Sequence, residues 1–284
     1  MFITNNPFAQ LNTEMPNFFT PELMKGYVML MILFVIGGVL FDIWHKKSAQ
    51  YFFEHSKNQE KLASREVTKA EKTEMMVETL TKEVLTSGEF QNPQRRLSHL
   101  LSMYGFIVFV ISTAILIFAY PTAADGSGSF WAFLWHVGAV MLMAGGYWFW
   151  FGIRVDLASE AKPWHKIAPK ADMFILSLLA MSTFGVLWSI AGAGFGILFS
   201  LFIISTTVLF AGVIWSKFAH MFFKPAAAYQ KKMVWADGSR EGLPDMPDLS
   251  DPEVQAKFPD IPTYMGKNPP NMGLGIKREA PRHY

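Results

Sequence analysis

Residues 173–216 form an unbroken stretch that contains no Asp, Glu, Lys or Arg. A water-soluble pair of helices would need a polar face somewhere in such a stretch, and this one has none. Its length is enough for two membrane spans of about 20 residues each. Charged residues make up 17% of the whole chain, below the roughly 25% of soluble domains. The sequence therefore predicts an integral membrane protein.

Five segments have the length and apolar character of membrane spans, which predicts an all-α membrane protein built as a five-transmembrane-helix bundle. The predicted spans are 23–44, 99–120, 130–153, 173–190 and 197–216, the last running on to His220. We divide the chain into an N-terminal segment, the first span, a helical insert, the other four spans and an extended tail. These regions are 1–22, 23–44, 45–98, 99–220 and 221–284.

The positions of the basic residues predict the orientation. Ten, four and ten of the 25 Lys and Arg residues lie in 45–98, 154–172 and 217–284. The links 121–129 and 191–196, on the opposite side of a five-span protein, contain none. Loops on the cytoplasmic side are enriched in Lys and Arg. We therefore expect an inner (cytoplasmic) membrane protein with its N-terminus outside and its C-terminus in the cytoplasm.

Composition also excludes several kinds of chemistry. The chain has no cysteine, which excludes disulfides, thiol catalysis and Cys-ligated iron–sulfur clusters in this subunit. No phosphate-binding glycine loop, paired carboxylates or nucleophile with a base is present in the sequence. We predict no catalytic residues and no nucleic-acid partner, and expect any redox chemistry to use a non-thiolate cofactor or the cofactors of a partner.

Two histidines lie at matching depth on different predicted spans. His99 opens the second span and His220 closes the fifth on the same side. Two imidazoles on facing helices can supply both axial ligands of a b-type haem. Histidines at helix ends in membrane proteins are also often plain interface residues, and depth alone does not distinguish the two interpretations.

Residues near this pair suit a haem. Arg96 lies one turn before His99, and Lys217 and Lys224 lie one turn to either side of His220. Such cations can pair with haem propionates. Gly105, within two turns of His99, would let a flat macrocycle approach the helix.

His136 is the only ionisable residue well inside a predicted span. Intramembrane ionisable residues are functional candidates, and this one could donate a hydrogen bond to a quinone carbonyl. The alternative is a packing histidine that is bonded to a Ser, a Thr or a backbone carbonyl.

The regions outside the spans suggest a docking face. Apolar residues recur at a helical period in 56–90, with Gly88 as a stop, which indicates an amphipathic helix. It is either a solvated helix or a docking helix. The proline-rich tail 236–284 is expected to be extended, either disordered or lying along a partner.

Two segments resemble a known family. Arg-Arg-Leu-Ser-His-Leu-Leu at 95–101, followed by Met-Tyr-Gly-Phe at 103–106, resembles the second helix of nitrate reductase gamma-subunit-like membrane cytochromes. Lys-Phe-Ala-His-Met-Phe-Phe-Lys-Pro at 217–225 resembles the end of their fifth. The chain as a whole, including 236–240 and 273–279, looks like the membrane anchors associated with adenylylsulfate reductase and the membrane half of the quinone-interacting oxidoreductase C subunits.

This resemblance implies a particular role. His99 and His220 match the ligands of the haem nearer the cytoplasm, and the partner would be an adenylylsulfate reductase-like flavin and iron–sulfur complex. The positions of a second haem correspond here to Phe109 and Phe202, so one haem is favoured over two. The cysteine-rich domain of the C subunits is also missing, which implies that a soluble partner's clusters exchange electrons with this chain.

The sequence thus predicts a haem b electron-transfer subunit that links a cytoplasmic oxidoreductase to quinone, either non-catalytic or quinone-reacting. Two alternatives remain open. One is a haemless structural anchor for the same partner. The other is a transporter or channel, although no carboxylate or proline lies in the middle of a span, where transporters usually place carboxylates or broken helices.

Overall fold

A computed structural model of the chain describes residues 2–15, 18–45, 48–88, 90, 92–156, 160–192, 196–215, 220–243 and 252–253. Within these ranges all regular structure is helical and no strand occurs. The chain divides into two compact units. We call residues 1–53 with 76–228 the membrane unit and residues 54–75 with 229–284 the peripheral unit.

Five helices are long and apolar enough to cross a membrane, which confirms the predicted number of spans. We number the α-helices in chain order from α1 (Pro7–Glu14). The spans are α2 (Pro21–His45), α5 (Pro93–Ala119), α6 with a π-helical end (Ser129–Ile153), α7 (Pro169–Ala191) and α8 with a 3-10 end (Gly196–Ile214).

The spans differ from their predicted bounds by up to six residues, and two boundaries need comment. α5 begins at Pro93, six residues earlier than predicted, because the Asn92 side chain accepts hydrogen bonds from the amides of Gln94 and Arg95. Asn at the N-cap followed by Pro is a strong start signal. The described part of the fifth span ends at Ile214, where the last turn tightens into a 3-10 helix. Residues 216–219, over which this span was predicted to run on to His220, lie outside the described residues.

α5 and α6 pack backbone against backbone through glycines. A Cβ atom added at Gly138 would lie 2.7 Å from the amide nitrogen of Phe109 and 2.9 Å from the carbonyl oxygen of Gly105. The hydroxyl of Ser98 donates to the carbonyl oxygen of Gly145 over 2.8 Å. Small residues at a helix interface allow this close approach in membranes.

The N-terminal helix α1 packs into the membrane unit. Phe8 and Leu11 are fully buried among the aromatic residues of the spans. Asn6 and Asn12 donate through Nδ2 to the carbonyl oxygens of Tyr120 and Pro121, each over 2.7 Å. Residues 7–14 thus cover the end of α5 at Ala119.

The predicted insert helix 56–90 is divided in the structure into α3 (Ser48–Leu62) and α4 (Lys69–Glu78), which continues as a π-helix over Thr79–Leu85. The break has two causes. The amides of Ser64 and Arg65 donate to the carbonyl oxygen of Asp237 instead of continuing α3. Thr68 and Glu71 then exchange side-chain to backbone hydrogen bonds, a capping box that starts a new helix.

The region 221–284, which we predicted as an extended tail, begins with a helix. α9 (His220–Ala236) is helical through most of the stretch that precedes residue 236. Asp237 connects the two segments of the peripheral unit, since its carboxylate accepts a hydrogen bond from Gln59 Nε2 at 2.5 Å. The rest of the tail after residue 243 lies outside the described residues, apart from 252–253.

Candidate haem and quinone sites

His99 lies on the second turn of α5 and is half-buried. Its Nδ1 atom is 2.9 Å from the hydroxyl oxygen of Ser87, and its ring centroid is 4.9 Å from that of Phe90. A metal-ligating histidine typically has its other ring nitrogen held by a second group. The Ser87 contact is of that kind, so His99 has the orientation restraint that an axial ligand needs.

Lys224 of α9 contacts the ring of Phe90, which also packs against His99. Its Nζ atom lies 5.1 Å from the centroid of Phe90, within the range of a cation–π contact. Phe90 therefore contacts both His99 and the second turn of α9. His220 is the first residue of α9, one helical turn before Lys224.

The second predicted ligand is only partly described. The backbone of His220 belongs to α9, but its side chain lies outside the described residues, as does Lys217 altogether. The pairing of His99 with His220 and the role of Lys217 therefore stay predictions.

Arg96, predicted to hold a haem propionate, has a structural partner. Its Nε atom donates to the carbonyl oxygen of Thr86 over 2.7 Å. The Tyr104 hydroxyl donates likewise to the carbonyl oxygen of Leu85 over 2.7 Å. Because the last carbonyls of a helix lack partners within it, these two bonds from α5 hold the end of the π-helix.

Gly105 has a different role from the one predicted. A Cβ atom at this position would lie 2.7 Å from the amide nitrogen of Leu142 and 2.8 Å from the Cβ of Met141. The open side of Gly105 thus faces α6, and the glycine allows a second helix, not a macrocycle, to approach α5.

His136 is buried and hydrogen-bonded. Its Nδ1 atom is 2.7 Å from the carbonyl oxygen of Ala132, and its Nε2 atom is 2.8 Å from the hydroxyl oxygen of Ser189 on α7. Carbonyl oxygens only accept, so Nδ1 donates to Ala132. These contacts are those expected of the packing histidine, and a quinone carbonyl would have to replace Ser189. The quinone role stays a prediction.

The second haem position implied by the resemblance is filled by aromatic side chains. Phe109 and Phe202 are both buried, and their ring centroids are 6.4 Å apart. Trp135 packs against Phe109 at 5.0 Å, and Trp188 stacks on Phe202 at 5.9 Å. Phe8 of α1 contacts both tryptophans. These residues do not fit a second haem, since they occupy its space and offer no axial ligand.

The structure contains a buried ion pair that we did not predict from the sequence. The Arg154 side chain is 1% exposed, and its Nη2 atom is 2.7 Å from Asp172 Oδ2. The same nitrogen donates to the carbonyl oxygen of Lys166, and the guanidinium lies 3.8 Å from the centroid of the Trp150 ring. The amide of Ala168 also donates to Asp172 Oδ2. In the sequence Arg154 looks like any other basic residue beside a span.

The fold defines the chain as a multi-pass membrane protein with five membrane-spanning helices. No protein-family model, curated protein or solved structure matches the chain.

Proposed function

We propose that the chain is the membrane subunit of an oxidoreductase complex. It holds one b-type haem between the start of α5 and the start of α9, and it exchanges electrons between quinone and a cytoplasmic flavin and iron–sulfur enzyme of the adenylylsulfate reductase type. The likeness of segments 95–106 and 217–225 to the gamma-subunit-like cytochromes motivates this proposal.

Two contacts of Phe90 support the proposal. Phe90 packs on His99 and lies under the ammonium group of Lys224. This chain of contacts brings together the two segments that the resemblance assigns to the haem, although they are more than 100 residues apart in sequence. A b-type haem, when bound, supplies a one-electron carrier. His99 and His220 would be its axial ligands, and Lys217 and Lys224 would offset the charge of its propionates.

We also propose the orientation of the chain in the membrane. The segments 45–98, 154–172 and 217–284 carry nearly all of the basic residues, and the positive-inside rule assigns that side to the cytoplasm. The haem would then lie near the cytoplasmic face of the inner membrane. The peripheral unit and the tail would dock the soluble partner on that face.

A haemless anchor for the same partner is the second candidate. It is supported by the packing of Gly105 against α6 and by the hydrogen bond from Arg96 to Thr86, since both residues have structural roles without a haem. Within the described residues no feature favours the transporter or channel alternative.

Reduced-minus-oxidised optical spectra of the purified complex test the proposal. We expect a b-type spectrum in the wild type and its loss in both His99→Ala and His220→Ala, because each variant removes one axial nitrogen. His165→Ala is the matched control, since His165 is an exposed histidine outside the spans. Full haem content in both ligand variants would refute the assignment. A wild type without a haem spectrum would leave the haemless anchor.

A further inference from the structure

The end of the insert carries an exposed apolar face. Met76, Val77, Leu80 and Leu85 are between 48% and 53% exposed. Leu80 and Leu85 both belong to the π-helix, in which hydrogen bonds join residues five apart. Leu85 therefore lies about one turn after Leu80, on the same side of the helix. We call these four residues the insert face. They belong to the membrane unit, which resumes at Met76.

Three hydrogen bonds tie the end of this segment to the first turns of α5. Leu85 and Thr86 offer their carbonyl oxygens to Tyr104 and Arg96. The next residue, Ser87, contacts His99 through its hydroxyl. The insert face therefore ends beside a membrane span and not in a free loop.

The depth of this attachment corresponds to the membrane interface. α5 has 27 residues, about 40 Å at 1.5 Å per residue, whereas the hydrocarbon core is about 30 Å thick. The surplus of about 10 Å corresponds to about seven residues, so the first two turns of α5, which contain Arg96 and His99, can lie at headgroup level. Tyr and Arg are typical anchors at that level. Leu97 and Ile107, in the same part of α5, are exposed apolar residues, so the insert face is attached to a part of the span that itself presents apolar side chains to lipid.

The polar groups next to the insert face are already satisfied. The hydroxyls of Thr81 and Thr86 donate to the helix carbonyls of Val77 and Lys82, over 2.7 and 2.8 Å. Lys82 forms an ion pair with Glu78 at 2.9 Å. A polar group that keeps its hydrogen bond costs little when it leaves water.

We infer that the insert face lies on the bilayer, with its four apolar side chains in the boundary between headgroups and acyl chains. The occupant of this surface is lipid, because the segment that carries the face is hydrogen-bonded to the end of a membrane span, next to Arg96 and His99 in its first two turns. Amphipathic helices bind membrane interfaces in this way. The inference does not depend on haem binding, and it leaves the peripheral unit as the surface for a protein partner.

The lack of native cysteine makes a direct test possible. Leu80→Cys and Leu85→Cys would each be labelled with an environment-sensitive fluorophore, and the full chain would be reconstituted in vesicles with lipids brominated near the headgroup. Leu40→Cys, exposed near the end of the span α2, is the lipid control. Lys162→Cys, in the loop before α7, is the water control.

We expect blue-shifted emission at Leu80 and Leu85, with quenching by brominated lipid close to that at Leu40 and well above that at Lys162. Aqueous iodide should quench both positions weakly. Emission and iodide quenching equal to those at Lys162 would overturn the inference. Protection that arises only when a soluble partner is added would also overturn it, because the occupant would then be protein.

Discussion

A methyl group added at Gly138 tests the contact between α5 and α6. In Gly138→Ala the three atoms nearest to the new Cβ would all be backbone atoms: the amide nitrogen and Cα of Phe109 at 2.7 and 3.0 Å, and the carbonyl oxygen of Gly105 at 2.9 Å. Backbone atoms cannot rotate away, so the two helices must separate. That movement would also lengthen the hydrogen bond from Ser98 to Gly145.

The expected cost follows from two opposing effects. Overpacking a well-packed interface costs about 1–3 kcal/mol. Replacing Gly by Ala within a helix recovers up to about 1 kcal/mol through helix propensity. We therefore expect Gly138→Ala to lower the free energy of unfolding by about 1–2 kcal/mol.

Gly37→Ala is the matched control. Gly37 lies in the span α2, and a Cβ at this position meets nothing within 4 Å. This variant should be neutral or slightly stabilising. The assay is unfolding in mixed detergent micelles with increasing dodecyl sulfate, followed by tryptophan fluorescence. Equal unfolding midpoints for the two variants would refute the proposed contact between the helices.

Three further predictions concern buried or capped side chains. Asp172→Asn should cost about 3–5 kcal/mol because it leaves the buried Arg154 without its counter-charge, seen as an earlier unfolding midpoint; an unchanged midpoint would contradict the buried pair. Phe8→Ala should cost about 3–5 kcal/mol by opening a cavity among the aromatic rings, and an effect below about 1 kcal/mol would show that α1 does not pack there. The pKa of Glu71 is lowered from 4.5 to about 2, first by the backbone N–H of Thr68 and then by Arg65. A lowered folded pKa adds stability above the unfolded pKa, and this stability is lost as pH falls from about 4.5 towards about 2. The protection of the amides at the start of α4 against hydrogen exchange, relative to their intrinsic exchange rates, should therefore fall in that window, and Glu71→Gln should remove this pH dependence.

The spans could be predicted because length and apolar character are local properties of the sequence. Their ends were less predictable. The start of α5 at Pro93 depends on the Asn92 cap, and the apolar pattern does not extend to it. The break in the insert depends on Asp237, about 170 residues further along the chain, which accepts the amides of Ser64 and Arg65.

The candidate site was less predictable because a residue's type does not reveal its neighbours. Gly105 would suit a macrocycle or a helix equally well, and only the structure places α6 against it. His136 was singled out as an ionisable residue inside a span, and its bonds to Ala132 and Ser189 match the packing alternative. Arg154 was missed, since a buried arginine and a surface one look the same in the sequence.

The amount of haem per chain tests the central claim most directly. A pyridine haemochrome assay on the purified wild-type protein, normalised to protein by amino-acid analysis, measures it without assumptions about ligands. We predict one b-type haem per chain, because Phe109 and Phe202 fill the second position with aromatic rings. No haem would contradict the proposed electron-transfer role, and two haems would contradict the packing described between α5 and α8.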